Sequence, residues 1–332
     1  MAFTDIAIDL GTSNVVVWTK SKGVTIHEPT IVAYDKEADK LLAYGEEAKQ
    51  LVARTQGNVV AIRPLKAGTI SDYNVTEKIL GHYMQLAMGP HIFRKPMVSL
   101  CIPSGATRVE RRAVEEAAYQ SGARDVTIVD ATVAAAIGAG IDITKPVGNL
   151  IADIGGGTTD IAVLSLGSPV ISQTVKVGGD HFNELIARLL RRDHSLFIGE
   201  DTAEAVKLKI GTAFRRPKME TMQVSGRNVM TGLPKTVSVT SEEVREALLE
   251  ATTQIVDAVH AVLEKTPPEL AADITGRGIV LTGGGALLDG MTELIEEKTG
   301  INVVVAENPS DCVAIGTGMY NELMDKLGRM EY

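Results

Sequence analysis

A short motif occurs twice in this chain, and the repetition limits the fold more than any other feature. Ile6-Ala7-Ile8-Asp9-Leu10-Gly11-Thr12-Ser13-Asn14 and Leu150-Ile151-Ala152-Asp153-Ile154-Gly155-Gly156-Gly157-Thr158-Thr159-Asp160 share one design. An apolar strand ends at an Asp, a glycine turn with hydroxyl residues follows, and a second apolar strand resumes at Val15-Val16-Val17-Trp18 or Ile161-Ala162-Val163-Leu164. Each motif reads as a β-hairpin, and two copies imply a duplicated domain with one glycine hairpin in each half. Hairpins facing each other would grip a polyphosphate from both sides. Glycine lets backbone N–H groups approach phosphate oxygens, and a turn of N–H groups forms an anion-binding concavity. Asp9 and Asp153 are then placed to hold a hydrated divalent cation, since Mg²⁺ keeps most of its waters and needs few protein ligands. A P-loop would need Gly-Lys-Ser/Thr opening a helix, and a dinucleotide fingerprint would need a helix where a strand resumes.

The 332 residues suggest two domains or one large duplicated one. A hydrophobic content of 45% with 23% charged residues fits a globular protein with a sizeable core. The net charge of −9 argues against a nucleic-acid partner, which needs a basic face. Two cysteines, Cys101 and Cys312, make no disulfide framework or zinc spacing and suggest a reducing cytosol. The N-terminus enters the first strand without a basic region and apolar stretch, so no signal peptide is expected. The apolar run Val133–Ile143 is too short and glycine-rich to span a bilayer.

Strand signals occupy 6–18, 24–34, 59–62, 97–102 and 126–129, with helical periodicity at 76–88 and 107–121. Ala131–Gly138 reads as a small-residue helix packed close to another element. Ile143–Gly148 is the expected boundary between halves. The second half predicts strands around 169–177, helices at 180–192 and 200–214, a strand pair at 219–240, and a helix at 241–265 opened by a capping box on Ser241. A third glycine cluster, Gly283-Gly284-Gly285, follows the strand Ile279-Val280-Leu281 and feeds a helix, a geometry suited to a phosphate or ribose edge but equally to a simple turn. Glu204 and Lys207 share a helical face, where an exposed ion pair is the commoner outcome. Gly178-Gly179-Asp180 taken alone is an N-cap.

Taken together, Asp9-Leu10-Gly11-Thr12, Asp153 to Asp160, Gly178-Gly179-Asp180 and Thr282-Gly283-Gly284-Gly285 resemble the actin-fold ATPase superfamily. Ile62-Arg63-Pro64-Leu65-Lys66, Val109-Glu110-Arg111-Arg112-Ala113, Leu263 to Leu270 and Ala306-Glu307-Asn308-Pro309 extend the likeness end to end to the bacterial actins of the MreB family, and most to its Mbl branch. The resemblance implies an α/β fold of duplicated ribonuclease H-like domains around an ATP cleft. Domain I would cover 1–144, with a small subdomain at about 33–75. Domain II would cover 145–315, with a small subdomain at about 183–246, and a C-terminal helix, 316–332, would pack back on domain I. Thr12, Ser13, Asn14, Gly156, Gly157 and Thr158 would contact phosphate. Glu204, Ala205, Val206 and Lys207, with Gly284, Gly285, Ala286 and Leu287, would enclose the adenosine, and Asp9 and Asp153 would sit near Mg²⁺. The family implies a cytoplasmic homopolymer of antiparallel double filaments on the inner leaflet of the cytoplasmic membrane, working with the cell-wall elongation machinery and with paralogous bacterial actins to set rod shape.

One departure bears on catalysis. The family reads Glu-Glu-Pro where this chain reads Asp130-Ala131-Thr132. The second Glu, which orients the attacking water in the family, falls on Ala131, which has no acceptor. Slow ATP hydrolysis is therefore expected, with Asp130 and Thr158 as the remaining candidates for catalytic water contact. Ile92 and Phe93, beside Arg94 and Lys95, suit shallow insertion next to anionic headgroups, although the loop could instead fold onto its own domain. Two rivals share the glycine motifs: a heat-shock-type chaperone ATPase, expected to carry a further substrate-binding domain, and a sugar kinase, expected to show an Asp base and a polar sugar pocket.

Overall fold

The computed structural model describes residues 5–55, 57–89 and 95–330. The loop residues Ile92 and Phe93 lie outside these. The first half runs β1 (Ile6–Leu10), β2 (Asn14–Thr19), β3 (Gly23–Pro29), β4 (Val32–Asp35), β5 (Lys40–Tyr44), α1 (Gly45–Arg54), β6 (Val59–Ile62), β7 (Leu65–Lys66), β8 (Thr69–Ile70), α2 (Tyr73–Met88), β9 (Met97–Ile102), α3 (Arg108–Gln120), β10 (Asp125–Asp130) and α4 (Ala131–Gly138). The second runs β11 (Asn149–Ile154), β12 (Thr159–Ser165), β13 (Ser168–Val175), α5 (Gly179–His194), β14 (Leu196–Phe197), α6 (Glu200–Ile210), β15 (Thr221–Asn228), β16 (Pro234–Thr240), α7 (Ser241–Lys265), α8 (Pro268–Arg277), β17 (Ile279–Thr282), α9 (Met291–Thr299), β18 (Val303–Val305) and α10 (Cys312–Met330).

The duplication is visible in the topology. One five-stranded sheet has the order β3-β2-β1-β9-β10 and the other β13-β12-β11-β17-β18. In both, the first three strands form an antiparallel meander, and the next two add in parallel beside the first. Each half has its own core. Ile8, Val15, Val17, Leu80 and Leu100 are buried in the first, and Phe182, Val206, Leu248, Ile255 and Leu281 in the second. Smaller sheets, β5-β4-β6 and β14-β15-β16, extend the halves.

A third core joins them. Ala134, Ala135 and Ala136 of α4 pack with Ile151, Ala162 and Leu164 of the second sheet and with Val313 of α10. The small-residue reading of α4 has a direct cause here. A Cβ on Gly138 would lie 1.8 Å from the Cys312 carbonyl oxygen, and one on Gly316 would lie 1.8 Å from that of Ala134. The backbones of α4 and α10 touch only because side chains are absent at those two points.

Several local expectations need correction. The cap of α7 is Thr240, not Ser241: Thr240 accepts from Glu243 N–H, and the Glu243 carboxylate accepts from Thr240 N–H. The Ser241 hydroxyl instead accepts from Glu220 N–H at 3.0 Å. Pro267-Pro268, which follows α7, starts α8, because proline at the first helical position gives up no needed hydrogen bond. The glycine cluster before α9 forms a 3₁₀ turn, Gly284–Leu287, before the helix begins. Helix α1 and strand β5 were not legible, since α1 buries only Gly45 and Ala48 behind a charged face.

Candidate functional site

The two glycine hairpins close in the same way. Gly11 N–H donates to the Asn14 carbonyl at 3.0 Å, and Gly155 N–H to the Thr158 carbonyl at 2.9 Å. They face each other across a cleft of about 310 Å³. A Cβ on Gly156 would come within 1.7 Å of Ser13 Oγ, and one on Gly157 within 2.5 Å of Thr12 Oγ1. Glycine is thus required in the second hairpin by the side chains of the first. The Ser13 hydroxyl bonds the Asp180 carboxylate at 2.7 Å, and Gly68 N–H donates to Thr12 Oγ1 at 3.0 Å.

Gly178-Gly179-Asp180 does more than cap α5. The cap position is Gly178, without a side-chain bond. Gly179 and Asp180 donate their N–H groups to the Gly155 and Gly156 carbonyls, both at 2.9 Å. The start of α5 thereby fixes the second hairpin from behind, while the Asp180 side chain reaches across to the first.

Asp9 and Asp153 stand at the base of the cleft together with Asp160. Burial pushes Asp9 up to about 6, against the opposing pull of a Cys101 hydrogen bond and the His27 charge. Burial, then the charges of Asp160 and Asp9, push Asp153 up to about 7, while a Thr282 hydrogen bond pulls it down. Asp160 is raised as well, first by burial. Buried carboxylates that resist ionisation need a countercharge. Among the described residues no group of three His, Cys, Asp or Glu side chains is arranged to hold a metal alone. The donor set fits Mg²⁺, which draws most of its oxygens from water and phosphate.

The raised Asp153 carboxyl sets a pH dependence. An unfolded Asp loses its proton near 3.9, whereas the folded one keeps it to about 7, so stability of the nucleotide-free protein falls as pH rises through that window. Asp153→Asn keeps the oxygen that accepts from Thr282 and removes the titration. Its stability relative to the natural protein is expected to improve by about 2 kcal/mol between pH 5 and 7 and to level off above. Urea unfolding of both proteins without nucleotide checks this, and a pH-independent difference would contradict the burial argument.

Of the residues expected in the site, Asp9, Thr12, Ser13, Asn14, Asp153, Gly156, Gly157 and Thr158 all line the cleft. The stretch 204–207 divides. Glu204 and Lys207 line the cleft with Leu208, whereas Val206 is buried in the second core and Ala205 faces solvent. Positions three and four apart share a helical face, so a contiguous run cannot all point one way. Lys207 donates to the Gly179 carbonyl at 3.2 Å and lies 3.8 Å from Glu204, and burial lowers its affinity for the proton. Gly284 and Leu287 line the cleft, while Gly285 and Ala286 do not and Ala286 is buried. His27, Gly68, Cys101, Asp160, Asp180 and Ser310 also line it, and none was singled out from sequence as a site residue. Asp160 and Asp180 carried a signal, as the last residues of two quoted motifs.

Ala131 faces the cleft, and Asp130 is not among the lining residues. The Asp130 carboxylate caps α4, accepting from Thr132 N–H at 2.9 Å, from the Thr132 hydroxyl at 2.7 Å and from the Ser104 hydroxyl at 2.7 Å. It is committed to holding the helix start. Arg63 bonds Glu200 at 2.7 Å and Lys49 pairs with Asp201 at 2.8 Å, tying α1 and the segment after β6 to the N-terminus of α6.

This cleft belongs to a known lineage. The sequence profile of the family described as MreB/Mbl protein matches residues 3–329. The chain belongs to the MreB/Mbl family. It is 50% identical over 323 residues to the cell shape-determining protein Mbl of Bacillus subtilis (strain 168), covering 97% of each chain. It is 46% identical over 333 residues to the cell shape-determining protein MreB of Escherichia coli (strain K12), covering 99% of this chain and 96% of that one. Among solved structures, MreB5 of Spiroplasma citri matches with a TM-score of 0.91 at 38% identity over 98% of each chain, in its ADP-bound and its AMPPNP-bound forms alike. The fold is the actin-like fold of this family, as the resemblance carried by the motif set implied.

Proposed function

We propose that this chain is an ATP-binding bacterial actin that polymerises into membrane-associated filaments and organises cell-wall synthesis to set rod shape. The observation that carries the reading is the pair of interlocked hairpins, glycine against hydroxyl, over a buried acidic group. Such a cradle offers backbone N–H groups to a polyphosphate and carboxylates to its cation. Thr12, Ser13, Asn14, Gly156, Gly157 and Thr158 would bind the phosphates. Glu204, Lys207, Leu208, Gly284 and Leu287 would enclose the adenosine. Asp9 and Asp153 would hold Mg²⁺, which neutralises phosphate charge when bound. Thr158 remains in place to contact the attacking water, and the missing carboxylate at Ala131 makes hydrolysis slow. Residues 1–144 and 145–315 would act as the two domains, able to close on nucleotide through the contacts of Ser13 and Asp180.

Assembly would produce antiparallel double filaments of this chain, associated with the elongation machinery and with paralogous actins. Sedimentation with and without ATP, followed by electron microscopy on anionic liposomes, tests the reading. ATP-dependent filaments support it, and a monomer under all conditions sinks it. This assay also separates a filament from a chaperone ATPase or a sugar kinase.

Among the described residues no helix is long and apolar enough to cross a membrane. Attachment would come from Ile92 and Phe93, in the stretch of sequence before β9. A monomer carries one such stretch and binds weakly, while a filament presents many and binds strongly. Replacing both by Ser is expected to release filaments from liposomes without preventing assembly. Salt should weaken attachment only in part, because screening removes the contribution of Arg94 and Lys95 and leaves the apolar one. Unchanged co-flotation of the double variant would place the anchor elsewhere.

A further inference from the structure

The two halves repeat a second detail around the acidic pair. Asp9 follows Ile8 on β1, and Ile8 lies opposite Leu100 of β9 in parallel register, so the next position on β9 is Cys101. Asp153 on β11 lies opposite Thr282 of β17, again in parallel. The Cys101 thiol donates to Asp9 Oδ1 at 2.9 Å, and the Thr282 hydroxyl donates to Asp153 Oδ1 at 2.9 Å. Both donors are buried. Each carboxylate therefore receives one side-chain donor from the matching place in its own sheet. In both cases Oδ1 is occupied, and Oδ2 carries no hydrogen bond among the described residues.

We propose that Cys101 and Thr282 are positioning residues for the divalent cation, each pinning Oδ1 of its Asp so that Oδ2 is presented to Mg²⁺ and its water shell. The proposal rests on the nucleotide-site reading above. A carboxylate turns freely about its last torsion, and a cation held by few protein ligands gains from having that rotation fixed in advance. Partners one shell out from a metal commonly govern its affinity by about 10-fold to 100-fold. The two donors differ in strength, since a thiol donates more weakly than a hydroxyl. Loss of the Thr282 donor therefore has the larger effect.

The test is a Mg²⁺ titration of ATP binding to the full chain, read by calorimetry, with binding in EDTA as reference. Thr282→Val is expected to raise the Mg²⁺ concentration for half-maximal binding roughly 10-fold and Cys101→Ala by a smaller factor, while binding in EDTA stays level. Cys101→Ser and Thr282→Ser keep a donor and should restore the natural Mg²⁺ dependence. Thermal melts of all four identify any variant that fails to fold, and the Ser variants then carry the comparison against the natural chain. Equal losses with Mg²⁺ and with EDTA, or no difference between the Ser variants and the donor-less ones, reduce both residues to packing and overturn the proposal. If the natural chain binds no ATP under either condition, the nucleotide-site reading itself fails, which is a distinct result.

Discussion

Asp153→Ala is expected to lower Mg-ATP affinity by about 100-fold or more while leaving the fold intact. Asp153 is buried at the base of the cleft beside Asp9 and Asp160. Its removal takes away half of the paired carboxylates that offset the cation. It also removes a carboxyl that burial disfavours as a charge but leaves the buried Thr282 hydroxyl without its acceptor, so a melt of the nucleotide-free protein is needed to tell loss of binding apart from unfolding. Gly156→Val is expected to reach the same loss by another route. Its Cβ would arrive 1.7 Å from Ser13 Oγ. Ser13 Cβ would lie only 2.6 Å away as well, so rotating the hydroxyl away from Asp180 breaks the 2.7 Å bond without clearing the clash, and the hairpins must also separate. Either movement spoils the two-sided cradle. Calorimetric titration with Mg-ATP, beside a thermal melt of each variant, measures both effects. Unchanged affinity in the two variants together would remove the phosphate-clamp assignment.

Ala131→Glu is expected to raise ATP turnover roughly ten-fold or more, because one well-placed group commonly contributes at least that much. Ala131 occupies the first turn of α4, and its side chain borders the cleft with Thr158. A carboxylate there has a free acceptor, and a negative charge is tolerated at a helix N-terminus. Asp130 is not placed to substitute, since it does not line the cleft and its Oδ1 is bonded by the Thr132 N–H and hydroxyl and by the Ser104 hydroxyl. The geometry also argues against adding Thr132→Pro to copy the family pattern. Thr132 supplies two of those three donors through its N–H and hydroxyl, and proline has neither. A phosphate-release assay decides the matter. If the natural protein releases phosphate as fast as the Ala131→Glu variant, another group orients the water, and Thr158 is the next residue to replace.

The cause of slow turnover proposed here is an absence, and absences are legible in sequence when the surrounding motif is strong. The role of Asp130 was not. A carboxylate beside an empty catalytic position looks like a replacement until the helix start is seen to use it. The same distinction runs through the adenosine side. The run 204–207 lies on a helix beside the cleft, but helical rotation sends Val206 into the core and Ala205 to solvent, and brings in Leu208.

The sequence by itself determined the two hairpins, their equivalence, the acidic residues before each glycine turn and the small-residue helix. These are encoded locally, by alternation of apolar residues, by turns that demand glycine and by runs of alanine, so neighbouring residues suffice to read them. Only the tertiary structure decided what meets across the cleft. Ser13 meets Asp180, Gly156 and Gly157 leave room for Ser13 and Thr12, Cys101 and Thr282 reach the two Asp residues, and Arg63 finds Glu200. The partners in most of these contacts are more than ninety positions apart in the chain. No local preference selects such pairs. They follow from the packing of two complete sheets about α4 and α10, whose close approach rests on Gly138 and Gly316.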